Sequence, residues 1–288
     1  MARRISVTML SGYLYCRRKL FLEQVLGLFE PEKEALVKGS IRHAMYDKLN
    51  KIEESIVKSF AQGIKFRDMR DKYVHSYAEL LRDIIKRNTK KLNNVNLSPL
   101  GAFKSLFPRF VKEADSRAFN VYNFMGKYKL YGDELWQKLT PKIKSEFKIR
   151  SNNLLLTGII DQIEEYEDGI VPIELKTGKM PKEGVWPGHK IQLAAYALLL
   201  EDLQGNEIKE GFVHYLDADE RRQVVINPFL KEEVIELRKK VISTLDSNKI
   251  PEICENMRKC AVCGLKKQCF DEKLMAQKLK EKKTLNIT

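Results

Sequence analysis

The chain has 288 residues, 43% of them hydrophobic and 32% charged. That composition suits one large domain or a core with an appended lobe, and it excludes a disordered chain. Lys and Arg number 52 against 39 Asp and Glu, a net charge of +13, which favours a polyanionic partner, nucleic acid ahead of an anionic membrane; a solvated surface rich in Lys and Glu is the alternative source of such charge.

Arg3 and Arg4 open the chain, but Thr8, Ser11 and Gly12 break the apolar run behind them, which makes a poor signal peptide. Nothing approaches the roughly 18 apolar residues of a membrane span; LAAYALLL at 193–200 fits a buried helix. The expectation is a soluble, cytoplasmic protein without membrane contact. Five cysteines in that compartment point to metal or cluster binding rather than to disulfides.

Residues 8–26 predict an amphipathic helix carrying Cys16, and residues 34–52 a second with Gly39 and His43 four apart on one face. From 53 to about 142 the pattern is helical, basic and aromatic, with breaks expected at NLSPLG (96–101) and LFPRF (106–110). It carries no assignable motif and reads as a helical lobe. Near residue 143 the texture changes. KIKSEFKIRS, LLLTGIIDQIEEY and IVPIELKTG alternate like strands, separated by Asn152-Asn153 and by Glu167-Asp168-Gly169. A helix over 189–203, strands in GFVHYL and RQVVINP, and a closing helix over 231–248 follow, ahead of a cysteine segment and a Lys-rich tail. Strands in a meander, then a helix and more strands, predict an α/β domain with a mixed sheet. The expected divisions are 1–52, N-terminal helices joining the core; 53–142, a helical insertion; 143–250, the core; and 251–288, a cysteine lobe with a basic tail.

Two acids on adjacent predicted strands carry the chemistry. Asp161 ends GIID and Glu174 begins ELK, so both can reach one point on the sheet. Hard cations take oxygen ligands, and a metal so held can neutralise a phosphodiester and activate water. Lys176 lies two residues beyond Glu174 and shares its strand face, placed to orient water or stabilise charge on a phosphate. The acid-x-Lys pattern itself occurs five times, at Glu146, Glu174, Glu207, Asp271 and Glu281. Of these, Glu174 sits in an apolar strand, behind a second strand bearing an acid and before an amphipathic helix. A surface ion pair is the competing explanation, but buried-looking strands rarely carry acids without cause. Gln192 and Tyr196 fall one turn apart on the next helix, where an amide and a phenol could hold a phosphate. His43 is a further candidate ligand through a neutral imidazole.

Cys260-x2-Cys263-x5-Cys269 supplies three thiols in ten residues. Cys254 would complete a local site; Cys16 would staple the two ends of the chain together. On spacing, zinc and an iron–sulfur cluster stand equal.

Taken in order, these motifs resemble a known family. An early tyrosine with Cys16-x-Arg18-Lys19 leads to Gly39-x-x-x-His43 and Gly158-x-x-Asp161; then come Glu174-x-Lys176-Thr-Gly, Gln192-x-x-x-Tyr196 and the three clustered cysteines. The set, spanning residues 13–269, is similar to RecB-like nucleases of the PD-(D/E)xK superfamily that carry an iron–sulfur cluster, and most of all to the CRISPR-associated exonucleases that work with spacer-integration proteins. The resemblance implies a restriction-endonuclease-like mixed sheet flanked by helices. It implies Mg or Mn on His43, Asp161, Glu174 and the Leu175 carbonyl, with Lys176 as the catalytic lysine and Gln192 and Tyr196 handling DNA. It further implies a 4Fe-4S cluster on Cys16, Cys260, Cys263 and Cys269. The implied activity is 5′-to-3′ exonuclease cleavage of single-stranded DNA, with endonuclease activity in some members, and the implied role is prespacer trimming. The chain departs from the family in Cys16-Arg17-Arg18, where Cys-Pro-Arg is usual, in a longer stretch between His43 and Asp161, and in the extra Cys254. A stand-alone repair or mobile-element nuclease would carry the same motifs, and a non-catalytic DNA-binding subunit with a structural metal is the reading from another class.

Overall fold

A computed structural model describes residues 3–247 and 249–285. The chain forms two compact units, one of residues 1–31, 147–162 and 169–288, the other of 32–146 and 163–168.

The first unit opens with β1 (Ile5–Ser6), α1 (Val7–Tyr15) and α2 (Arg17–Gln24). The single helix expected over 8–26 is therefore two. Cys16 between them is extended, at φ −164° and ψ 110°, and its sulfur accepts the Lys19 N–H at 3.4 Å. The thiol thus satisfies one of the donors that a helix start leaves open.

The second unit is mainly helical: α3 (Glu34–Lys58), α4 (Phe66–Arg87), α5 (Thr89–Asn94), α6 (Pro99–Tyr128) and α7 (Gly132–Lys138). Ser98 starts α6 by accepting the Gly101 N–H at 3.0 Å, with Pro99 in the first turn where a missing N–H costs nothing. The break expected at LFPRF does not occur; Pro108 lies inside α6. Pro108 and Lys104, whose carbonyl loses its helical donor, are both exposed, where solvent can take the donor's place. The opposite stripe of α6, with Leu106, Phe110, Ala114 and Val121, is buried and packs chiefly on α4. Arg117 falls within that buried stripe and is 1% exposed. It bonds Glu113 at 2.7 Å and Glu53 at 2.8 Å, while the Tyr73 hydroxyl donates to Glu53 at 2.7 Å.

The sheet holds β2 (Lys142–Ser151), β3 (Leu156–Glu165), β4 (Ile170–Lys176), β5 (Glu210–Tyr215) and β6 (Glu220–Val225) besides β1. Its order is β1-β3-β4-β5-β6, with β2 also on β3. β1 runs parallel to β3 and β4 to β5, whereas β5 and β6 are antiparallel. The mixed sheet is as expected; the two-residue β1 is too short for periodicity to register. Between β4 and β5 the chain crosses over through α8 (Pro187–Gln204), which contacts α1, α9 (Pro228–Asp246) and the two strands. Contact on so many sides explains why nearly every residue from Ile191 to Leu200 is apolar and buried. Gly205, at φ 75°, ends the helix in the left-handed region. Beyond α9 come the short α10 (Met257–Ala261) and α11 (Lys266–Phe270), and the Lys-rich tail forms α12 (Glu272–Leu285). No helix of the described residues is long and apolar enough to cross a membrane.

Candidate active site and cysteine pocket

Asp161 on β3 and Glu174 on β4 are both buried, Glu174 to 1% exposure. Asp161 Oδ2 accepts the Leu175 N–H at 2.8 Å, which ties the two strands together at the acids. An extended residue turns its N–H and C=O to the same edge, so the Leu175 carbonyl faces the strand of Asp161. Lys176 Nζ lies 2.5 Å from Glu174 Oε1. The same oxygen receives Gln192 Nε2 at 2.6 Å, and Gln192 Nε2 is also 3.1 Å from the Tyr196 hydroxyl. Lys176 in turn donates to Gln192 Oε1 at 3.1 Å. Glu174, Lys176, Gln192 and Tyr196 thus form one bonded group. Gly158 lets it close: a Cβ there would stand 2.6 Å from the Tyr196 ring, so a glycine three residues before Asp161 admits α8 against β3.

One oxygen is left over. Glu174 Oε2 is buried with no hydrogen-bond partner, although Oε1 has two donors. Burial, and after it the neighbouring Asp161, raise the Glu174 carboxyl to about 8 against the opposing pull of Lys176. Two close carboxylates with an unsatisfied buried oxygen are a donor set that suits a hard divalent cation.

His43 and its neighbour Glu146 belong to the second unit. His43, on α3, places Nδ1 2.5 Å from Glu146 Oε1. Glu146 heads the first of the five acid-x-Lys sequences, which pattern alone does not set apart. Its positive φ of 52° within β2 reflects a local kink invisible to alternation. His189 is another residue the motifs pass over. Its Nδ1 lies 3.1 Å from the Tyr215 hydroxyl, and it lines a cleft with Lys176 and Gln192. Its three-residue spacing from Gln192 on α8 was the available signal.

All five cysteines, Cys16, Cys254, Cys260, Cys263 and Cys269, line one pocket of the first unit, with Leu22, Leu265 and Phe270 among its apolar walls. None is in a disulfide. Burial pushes the Cys16 thiol up, and the neighbouring Cys254 adds to the rise; Cys260 is raised by burial and then by Cys254 and Cys16. Thiols held this close, in apolar surroundings, are poor anions alone, and a soft cationic centre relieves them. Arg18 fastens the segment to α2, donating to the Cys269 carbonyl at 3.0 Å and the Pro251 carbonyl at 2.7 Å.

A mixed sheet flanked by helices, with an Asp on one strand and Glu-x-Lys on the next, defines a restriction-endonuclease-like nuclease fold. The model of the PD-(D/E)XK nuclease superfamily matches residues 4–270, and the chain belongs to that superfamily. Among curated proteins it is similar to the CRISPR-associated exonuclease Cas4 of Francisella tularensis subsp. novicida, 31% identical over 43% of this chain and 60% of that one. The CRISPR-associated exonuclease Cas4/endonuclease Cas1 fusion of Leptospira interrogans is 28% identical over 49% of this chain and 28% of that protein. The DNA replication ATP-dependent helicase/nuclease dna2 of Schizosaccharomyces pombe is 22% identical over 98% of this chain and 19% of that one. The matched stretch is therefore less than two thirds of each of these relatives.

Proposed function

We propose that this chain is a divalent-metal-dependent deoxyribonuclease that degrades single-stranded DNA from the 5′ end and trims prespacers alongside spacer-integration proteins. The observation that carries the reading is the buried pair Asp161 and Glu174, with Lys176 bonded to Glu174 and Glu174 Oε2 left without a partner. Asp161, Glu174 and the Leu175 carbonyl would hold Mg or Mn. The bound ion would neutralise the scissile phosphate and lower the pKa of a water. Lys176 stabilises negative charge on the phosphate, and Gln192 fixes the lysine and Glu174 in register. Tyr196 backs Gln192 through its hydroxyl. Cas4/Cas1 fusion relatives support the link to spacer integration. The division into N-terminal helices, insertion, core and cysteine lobe remains part of this proposal.

The test is digestion of single strands labelled at either end, in Mn. The reading expects release of the 5′ label as short products first and a much slower loss of the 3′ label. Early release of the 3′ label would overturn the polarity. With a charge of +13, affinity for oligo-dT should drop at least about ten-fold between about 50 and about 200 mM salt. A salt-independent Kd, measured by anisotropy, would contradict an electrostatic grip on phosphates.

One observation favours a second reading, a stand-alone repair or replication nuclease. The dna2 alignment runs over 98% of this chain and so includes the helical stretch 53–142. The aligned stretches of the two CRISPR-associated relatives, 124 and 157 residues, leave much of the chain unmatched.

For the cysteine pocket the proposal is a 4Fe-4S cluster on Cys16, Cys260, Cys263 and Cys269, with Cys254 dispensable. Four soft thiolates among apolar walls suit it. Anaerobically purified protein should be brown, and Cys16→Ala should lose most of its iron while Cys254→Ala keeps it. Colourless, zinc-loaded protein or the reverse dependence on the two cysteines would refute the assignment.

A further inference from the structure

Beside the carboxylates lies an open cleft of about 700 Å³ within the first unit, between α1–α2 and the start of α8. Lys176 and Gln192 contribute to its lining, so it runs up to the candidate active site. Its walls carry two exposed aromatic rings, Trp186 and Tyr15.

Trp186 is the more telling. It is 43% exposed yet held in place. Its indole N–H donates to the Lys179 carbonyl at 2.9 Å, and its backbone N–H to the Tyr215 hydroxyl at 3.3 Å. It occupies the N-cap of α8 and makes no side-chain cap bond there. Ser, Thr, Asp or Asn would serve the helix better at that position, so capping does not account for a tryptophan. Burial does not account for it either. An immobilised indole facing an open cleft is what stacking on a flat ligand requires.

Tyr15, at the C-terminal end of α1, is 41% exposed. Lys259 Nζ lies 5.0 Å from its ring centroid and donates to its carbonyl at 3.1 Å. Lys19 is 5.9 Å from the same ring but is engaged by Glu23 and Glu30, which leaves Lys259 as the cation offered at this end. Lys176, bonded to Glu174 and Gln192, marks the active-site end of the cleft.

We infer that this cleft is a single-strand channel, in which one base stacks on Trp186 and a second on Tyr15 while Lys259 meets the backbone phosphate. Aromatic faces interleaved with ammonium groups bind single-stranded nucleic acid without regard to sequence. A duplex keeps its base faces stacked on one another, so the same cleft discriminates against it. The identity of the occupant rests on the nuclease reading above; the binding itself does not.

The experiment is anisotropy of labelled oligo-dT and of a blunt hairpin duplex with wild-type protein, Trp186→Ala and Trp186→Phe, in EDTA so that no metal-dependent cleavage runs. Trp186→Ala should weaken oligo-dT binding about ten-fold; Trp186→Phe should retain most of the affinity, and the duplex should change less than about two-fold. The chain has two tryptophans, so in Trp136→Phe protein oligo-dT should quench the emission of Trp186. Unchanged oligo-dT affinity in Trp186→Ala, or equal losses for strand and duplex, would overturn the channel. If Trp186→Ala fails to fold, the quench decides alone, and its absence refutes the inference. An Asp161→Ala protein that cleaves like wild type would sink the nuclease reading while leaving a Trp186-dependent quench standing.

Discussion

Glu174→Gln should abolish cleavage and, in the absence of metal, stabilise the protein at neutral and alkaline pH. The first effect follows from charge. Gln keeps the shape and can still accept from Lys176, but it removes one anionic ligand from the proposed metal site. Losing several kcal/mol of charge stabilisation lowers the rate by at least about 10³-fold. The second effect follows from linkage. Without a cation the folded carboxyl titrates at about 8, well above its ordinary value, so the fold favours the protonated form. Stability from this group is full below about 4.5, falls as pH rises towards 8, where the unfolded chain has already released its proton, and levels off above that. Gln has no proton to release. The melting temperature of the variant in EDTA should therefore exceed that of wild type by about 5 °C or more at pH 8 and match it near pH 4. Mn should raise the wild type more than the variant. Thermal melts at the two pH values, with and without Mn, read all three comparisons.

Arg117→Ala should be the most damaging single change in the helical unit, costing about 3–5 kcal/mol. Arg117 is 1% exposed, and its removal leaves Glu53 buried with the Tyr73 hydroxyl but without its cation. The cost comes from the stranded charge more than from the lost contact. The double variant Arg117→Met, Glu53→Gln should recover much of the loss, because no ion then remains to be desolvated. Urea unfolding of the three proteins, followed by helical circular dichroism, measures it. A loss below about 1 kcal/mol for Arg117→Ala would place the network at the solvated surface instead.

How much of this was visible in the sequence depends on the length scale of each signal. Asp161, Glu174 and Lys176 were legible because strand alternation and a short turn fix where three residues point, and Gln192 and Tyr196 because one helical turn does the same. The structure brings four of these five into direct bonding contact and ties Asp161 to the backbone beside Glu174. The meeting of Cys16 with the C-terminal cysteines joins points some 240 residues apart; spacing left Cys16 and Cys254 as equal alternatives, and the motif order favoured Cys16. The break at Cys16 and the continuity through Pro108 went the other way. A sulfur that caps a helix and a proline whose orphaned carbonyl faces water are decided by local hydrogen bonding, not by periodicity. Glu146 stayed hidden because its partnership with His43 links α3 to β2 across about a hundred residues. Arg117 did so because a charged residue on an apolar stripe reads as an interruption until its partners are seen.

The most direct measurement is cleavage of end-labelled single-stranded DNA by wild type and Asp161→Ala, each with Mn and with EDTA, at protein concentrations where both bind the strand equally. The account predicts products from wild type with Mn alone, and at least about 10³-fold less from the variant. Equal cleavage by both proteins, or cleavage by wild type that survives EDTA, would contradict it.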